Sequence, residues 1–124
     1  MNLPNGHQTV MPYLMLTNAT TFINFVQQVF SAELTFERKR DEDKLMHAEV
    51  RINNSTLMFC DATDAYKAQT ANLFVYVPNA DEAYQKAVLA GAETIMPLSD
   101  QDYGRTCGIK DPTGNTWWIT SIKE

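Results

Sequence analysis

His47 and Glu49 stand two residues apart in the run Met46-His47-Ala48-Glu49-Val50-Arg51-Ile52. Apolar and polar residues alternate there, the signature of a half-buried strand. Ala48, Val50 and Ile52 therefore share one face, and His47, Glu49 and Arg51 the other. A histidine and a carboxylate on one face can act as a general base with its orienting acid, or as two ligands of a metal site. The same residue types also form ordinary cross-strand polar pairs, here with Arg51 or Glu37 as further partners. Cys60 and Cys107 are the only thiols. Each is a nucleophile if a base lies close, and an inert small hydrophobe if buried. The sequence does not exclude a disulfide between them. Arg105 can bind a carboxylate or phosphate of a ligand, or hold the loop before its strand through a salt bridge. His7 lies in a polar stretch with Pro4 and Gly6 and reads as a solvated residue of a loose arm.

Near the C-terminus, Asp111-Pro112-Thr113-Gly114-Asn115 is a tight turn with a mechanism. Proline presets φ, glycine takes positive φ cheaply, and Asp accepts hydrogen bonds from the amides that follow. The flanking residues 107–110 and 116–120 are strand-like, so the stretch predicts a β-hairpin. Its last strand carries both tryptophans of the chain, Trp117 and Trp118. Side chains alternate along a strand, so one indole faces each side of the sheet. One side is core; the other suits a ligand pocket.

The elements that position these groups follow from periodicity. Residues 11–16 read as a strand. Asn18 is a helix N-cap candidate, and Phe22, Phe25, Val26, Val29 and Phe30 recur at helical spacing. Strands are expected over 34–39, 46–52 and 56–60. A charged tip at 40–44 and a turn at 53–55 join them. Residues 61–70 form a polar connector. The pattern then restarts, with a strand over 73–77 and an Asn79 cap with Glu82 at the capping-box position. A helix that Gly91 stops follows, then strands over 93–96, 106–110 and 116–122, with 97–102 as a loop. The repeat is visible in letters. Leu14-Met15-Leu16-Thr17-Asn18 echoes Val75-Tyr76-Val77-Pro78-Asn79 at an offset of 61, and Ala32-Glu33 echoes Ala92-Glu93 at 60. Thr56-Leu57-Met58-Phe59 echoes Thr116-Trp117-Trp118-Ile119, again at 60. The expected fold is α+β: two tandem βαβββ modules, about residues 10–61 and 71–122, in one domain spanning 1–124. The two curved sheets are expected to enclose a cleft, with the helices outside.

Composition bounds the function. The 124 residues carry a net charge of −5 with no basic patch, which argues against nucleic acid as a partner. No signal peptide is read and no apolar run is long enough to span a membrane, so a cytoplasmic protein with free thiols is expected.

With these motifs in place, the chain resembles the vicinal-oxygen-chelate superfamily, also called the glyoxalase / bleomycin-resistance / dioxygenase family. It is most similar to the PhnB-like branch. The resemblance rests on Pro12-Tyr13-Leu14, on Phe22 to Phe30 followed by Ser31-Ala32-Glu33, and on Met46-His47-Ala48-Glu49. Above all it rests on Tyr103-Gly104-Arg105 followed by Asp111-Pro112-Thr113-Gly114-Asn115-Thr116-Trp117-Trp118. It covers about residues 10–122. It is specific for the fold and says little of the reaction, because this fold hosts many.

The resemblance implies four metal positions, on the first and last strand of each repeat, usually His, Gln or Glu. Carried onto this chain they fall on Met11, Met58, Asn72 and Trp118. Two thioethers, an amide and an indole do not hold a hard or borderline divalent ion. No metal and no cofactor is therefore expected, and the metal-dependent activities of the family lose their support. By strand parity, Met11, Tyr13, Met58 and Cys60 join Asn72, Phe74, Tyr76 and Trp118 as the implied cleft lining, with Arg105 nearby. That lining suits a small hydrophobic or aromatic ligand, and it equally suits packing of these side chains on one another. The resemblance further implies a homodimer with modules paired across subunits. The leading expectation is metal-independent small-molecule binding. The alternative is a lyase, isomerase or dioxygenase-like enzyme using His47 and Glu49, or a displaced metal site with His7. No Gly-rich nucleotide loop supports a methyltransferase.

Overall fold

In the computed structural model, which describes residues 1–123, the chain folds as two copies of one strand-helix-three-strand unit. The first is β1 (Tyr13–Leu16), α1 (Ala19–Phe30), β2 (Glu33–Lys39), β3 (Leu45–Ile52) and β4 (Ser55–Asp61). The second is β5 (Asn72–Tyr76), α2 (Ala80–Leu89), β6 (Glu93–Gln101), β7 (Gly104–Lys110) and β8 (Thr116–Ile122). Each unit makes its own four-stranded sheet, ordered β1-β4-β3-β2 and β5-β8-β7-β6. In both, the first and last strands run parallel and the others antiparallel. The expected fold class and tandem repeat are therefore present.

Both helices start where the asparagines stand. The Asn18 side chain accepts from the Thr21 amide at 3.2 Å, and Asn79 from the Glu82 amide at 3.0 Å. A second, longer-range anchor repeats between the units. The buried Asp61 carboxylate accepts from the Ala19 amide at 2.9 Å and from the Leu45 amide at 2.7 Å, tying the start of α1 to β3. In the second unit the Ser121 hydroxyl accepts from the Ala80 amide at 3.3 Å. Asp61 thus belongs to β4 and not to the polar connector expected from sequence.

Other boundaries shift for identifiable reasons. Strand β6 runs on through Pro97, where a loop is expected from the sequence. Strand β6 is the sheet edge, where a residue without an N–H breaks no ladder, and the register slips on both sides of Met96. The arm before β1 is not loose. Gln8 and the Thr56 backbone exchange two hydrogen bonds at 3.0 and 3.1 Å, and the Thr56 hydroxyl donates to the Gly6 carbonyl.

The helices do not lie outside a cleft. Phe22 of α1 meets Phe59 of β4 with ring centroids 4.9 Å apart and Trp117 of β8 at 6.3 Å, and Phe30 meets Trp117 at 4.7 Å. One apolar cluster joins Leu14, Phe59 and Val50 of the first sheet to Trp117, Ile119 and Ile109 of the second through α1 and α2. Within one chain, therefore, the helices fill the space between the sheets, and the other face of each sheet points outward. In this position α1 buries Ala19, Phe22, Ile23, Phe25, Val26 and Val29.

Candidate functional site on the outer sheet faces

Strand parity divides the candidate residues as expected, but the fold sends the two groups to different faces. Phe59 points inward, so its neighbours Met58 and Cys60 point outward, together with Tyr13, Met15, His47 and Glu49 of the adjoining strands. Trp117 points inward, so Trp118 and Thr120 point outward, with Asn72, Phe74 and Tyr76 beside them on β5. Met11 lies just before β1, half-buried. The structure does not bring the two groups together into the single-chain cleft that the sequence suggests.

On the first outer face, four side chains form one hydrogen-bonded row. The Tyr13 hydroxyl meets His47 Nδ1 at 2.9 Å, His47 Nε2 meets Glu49 Oε2 at 2.8 Å, and His7 Nε2 meets Glu49 Oε1 at 2.7 Å. Tyr13 stands on β1 and His47 on β3, so the phenol crosses over β4 to make its bond. Phe36 of β2 flanks His47 at 5.7 Å between ring centroids. Burial pushes the Glu49 carboxyl up, but hydrogen bonds and charge from His47 and His7 outweigh it and leave the carboxyl below its ordinary range. Burial pushes the Tyr13 phenol up, aided by nearby Cys60 and Glu49, so it keeps its proton.

Sequence parity places His47 and Glu49 on one face, and they are bonded. Their expected partners Arg51 and Glu37 are not the ones used. His7, read as a solvated arm residue, is instead the fourth member of the row, bonded to Glu49. No spacing rule links residues 42 positions apart, so the docking of the arm is not legible in the sequence.

The remaining candidates are structural or covered. The Cys60 thiol is 8% exposed, donates to the Met15 sulfur at 3.4 Å and is shifted up by burial and by Asp61. Cys107 is buried in the core, its thiol pushed up to about 11 by burial first and by Asp81 second. Neither is a poised nucleophile, and both are free. Arg105 shares the inward parity of Cys107. It donates to Asp81 of α2 at 2.6 Å and to Asp100 of β6 at 3.2 Å, so it braces the helix side and does not join the aromatic face. The turn at Asp111 is also structural. Asp111 is buried and accepts from the Thr113 amide, the Asn115 amide and the Trp117 indole, the last at 2.8 Å.

The second outer face is aromatic. Phe74, Tyr76 and Tyr103 are 52%, 63% and 53% exposed. The Trp118 ring rests on Gly108, and its indole N–H donates to Asn72 Oδ1 at 3.2 Å. Cavities of about 520 and 320 Å³ border the edge of the second face: Tyr76 lines both, the first with Val29, Phe30, Asn53 and Glu82, the second with Pro12, Leu57, Phe74 and Trp117. Neither includes Tyr13, His47, Met58 or Trp118.

The four positions implied for a family metal do not fit one. Met11 and Met58 belong to one outer face, Asn72 and Trp118 to the other, and Asn72 and Trp118 satisfy each other. Thioether, amide and indole groups are poor partners for a divalent ion. Among the described residues, no group of three or more His, Cys, Asp or Glu side chains is arranged to hold a metal ion. In the His7–Glu49–His47 row, each carboxylate oxygen is taken up by an imidazole.

Comparison with known proteins agrees with this architecture. The chain belongs to the Glyoxalase/Bleomycin resistance protein/Dioxygenase superfamily, whose family model matches residues 9–119. It is 29% identical over 125 residues to the uncharacterized protein Mb0911c of Mycobacterium bovis, covering 91% of this chain and 82% of that one. Among solved structures it is similar to the PhnB protein from Bacillus cereus, with a TM-score of 0.72 and 19% identity over 93% of this chain and all (100%) of that one. It is also similar to TnmS3, an antibiotic binding protein from Streptomyces sp. CB03234, with a TM-score of 0.73 and 12% identity over 94% and 100% of the two chains. At these identities the structures share the fold. Among the described residues, no helix is long and apolar enough to cross a membrane.

Proposed function

We propose that the protein binds a small planar molecule, without a metal, in a cleft completed by a second copy of the chain. One outer face would come from each subunit, Tyr13, Phe36 and Met58 from the first sheet of one, Phe74, Tyr76 and Trp118 from the second sheet of its partner. The observation that carries this reading is the exposure of aromatic rings on both outer faces, each half of a stacking site and neither closed in one chain. The net charge of −5 favours a cationic ligand. The description of TnmS3 as an antibiotic binding protein supports such a use of the fold.

Titration with a planar cationic acridine tests the reading. Trp117 is 2% exposed and gives a constant background, so quenching reports on Trp118. Saturable quenching that persists in excess chelator, is lost in Trp118→Phe and accompanies a dimer in sedimentation is expected. A monomer at the concentration of the binding assay, or absence of saturable binding, would overturn it.

A second reading rests on the bonded His47–Glu49 pair. It is an enzyme, a lyase, isomerase or dioxygenase-like activity, with His47 as base and Glu49 as its orienting acid. Turnover of any substrate that vanishes in His47→Gln while acridine binding survives would favour it.

A further inference from the structure

The row on the first outer face has a direction, and the direction gives it a ligand chemistry. Ionised Glu49 can only accept, so each imidazole Nε2 that touches it must carry a proton. In a neutral imidazole the proton on Nε2 leaves Nδ1 as an acceptor. With His47 neutral, the Tyr13 hydroxyl, 2.9 Å away, donates to His47 Nδ1. Its own proton is spent inward, and only lone pairs remain to face outward. Tyr13 is 45% exposed and His47 is partly exposed beside it, so this oxygen lies at the open end of the row. Phe36, 42% exposed, provides an apolar surface on the far side of His47.

We infer that the Tyr13 hydroxyl oxygen is a one-way hydrogen-bond acceptor for the ligand, set by the His47–Glu49–His7 row, and that it selects planar molecules bearing an O–H or N–H donor over those bearing only acceptors. This rests on the small-molecule reading above and names the polar half of its specificity. Tyr13 touches the ligand. His47 acts through Tyr13 and is a positioning residue, because it takes the proton that Tyr13 would otherwise offer to a carbonyl. Glu49 fixes the His47 tautomer in turn.

The test compares naphthalene, 2-naphthol and 2-acetylnaphthalene by calorimetry at about pH 8, where an ordinary imidazole is neutral. One hydrogen bond to a neutral group predicts that 2-naphthol binds about five- to tenfold more tightly than 2-acetylnaphthalene. In Tyr13→Phe the ratio of 2-naphthol to 2-acetylnaphthalene affinity falls to about one, while the melting temperature stays near wild type. In His47→Leu the hydroxyl is retained but loses the only side-chain acceptor it has in the row, so its proton is released. The preference should shrink because 2-acetylnaphthalene binds more tightly, a gain that mere structural damage would not produce. Equal binding of the two substituted naphthalenes in the wild type, or failure of 2-naphthol to bind, would overturn the inference. If the acridine still binds, the small-molecule reading survives that outcome. Loss of acridine binding as well removes both.

Discussion

Trp118 can rest on β7 only because residue 108 has no side chain. A Cβ built on Gly108 would lie 2.5 Å from Trp118 Cζ3 and 2.8 Å from Cε3, atoms of a rigid ring that cannot bend aside. Gly108→Ala must therefore swing the indole off the sheet and break its bond to Asn72. Overpacking of this kind costs about 1–3 kcal/mol. Urea unfolding followed by tryptophan emission should show that loss with a red-shifted native spectrum, and an unshifted spectrum would contradict the contact. Glu49 makes a second prediction at this scale. Its carboxyl is held below its ordinary value by His47 and His7, against the opposing effect of burial. A depressed folded value means that the unfolded chain binds more protons in that window. Stability from this group is thus fully present above the unfolded value, near 4.5, and is lost as pH falls through the lower folded value. Melting curves from pH 6 to about 3 should fall less steeply in Glu49→Gln than in the wild type. Equal slopes would mean that the two histidines do not hold the carboxylate.

At the scale of elements, the repeat explains what the sequence makes legible. Asn18 and Asn79 mark both helix starts, and the Trp117-Trp118 alternation sorts core from surface, because caps and strand parity are local rules. What stays hidden is non-local. Asp61 reads as the start of a polar connector, yet its carboxylate holds the amides of Ala19 and Leu45, 42 and 16 residues away. His7 is hidden for the same reason, and the placement of the helices between the sheets depends on which unit shares α1, which no local period encodes. The hidden anchor can be tested against its repeat counterpart. Asp61→Asn keeps one acceptor and turns an NH2 toward the other amide, leaving a buried donor facing a donor. That should cost about 1–3 kcal/mol. Ser121→Ala removes only a 3.3 Å bond in a half-buried position and should cost under about 1 kcal/mol. Denaturant midpoints of the two variants check the order, and a larger loss in Ser121→Ala would reverse the assigned roles.

At the scale of the whole molecule, the decisive fact is that the two aromatic faces of one chain do not meet, because each sheet packs its other face into the core the helices share. Any cleft that uses both must take them from different chains, and a two-fold dimer then contains two such clefts. This geometry makes a complementation test possible. Take one variant disabled on the first face, with Tyr13 and Phe36 changed to Ala. Take another disabled on the second, with Phe74 and Trp118 changed to Ala. Each homodimer has one bad face in both clefts and should not bind the acridine. In a mixed dimer, one cleft receives both damaged faces and the other receives two intact ones. Random exchange makes half the dimers mixed, so about a quarter of all clefts should be restored. Since Trp118 is missing from half of the chains, the measurement should count bound acridine by equilibrium dialysis. Recovery near a quarter after unfolding and refolding the two variants together supports a cleft shared between chains. No recovery, with mixed dimers verified by mass, would rule out the shared cleft, and binding retained by either homodimer would mean that one face is enough.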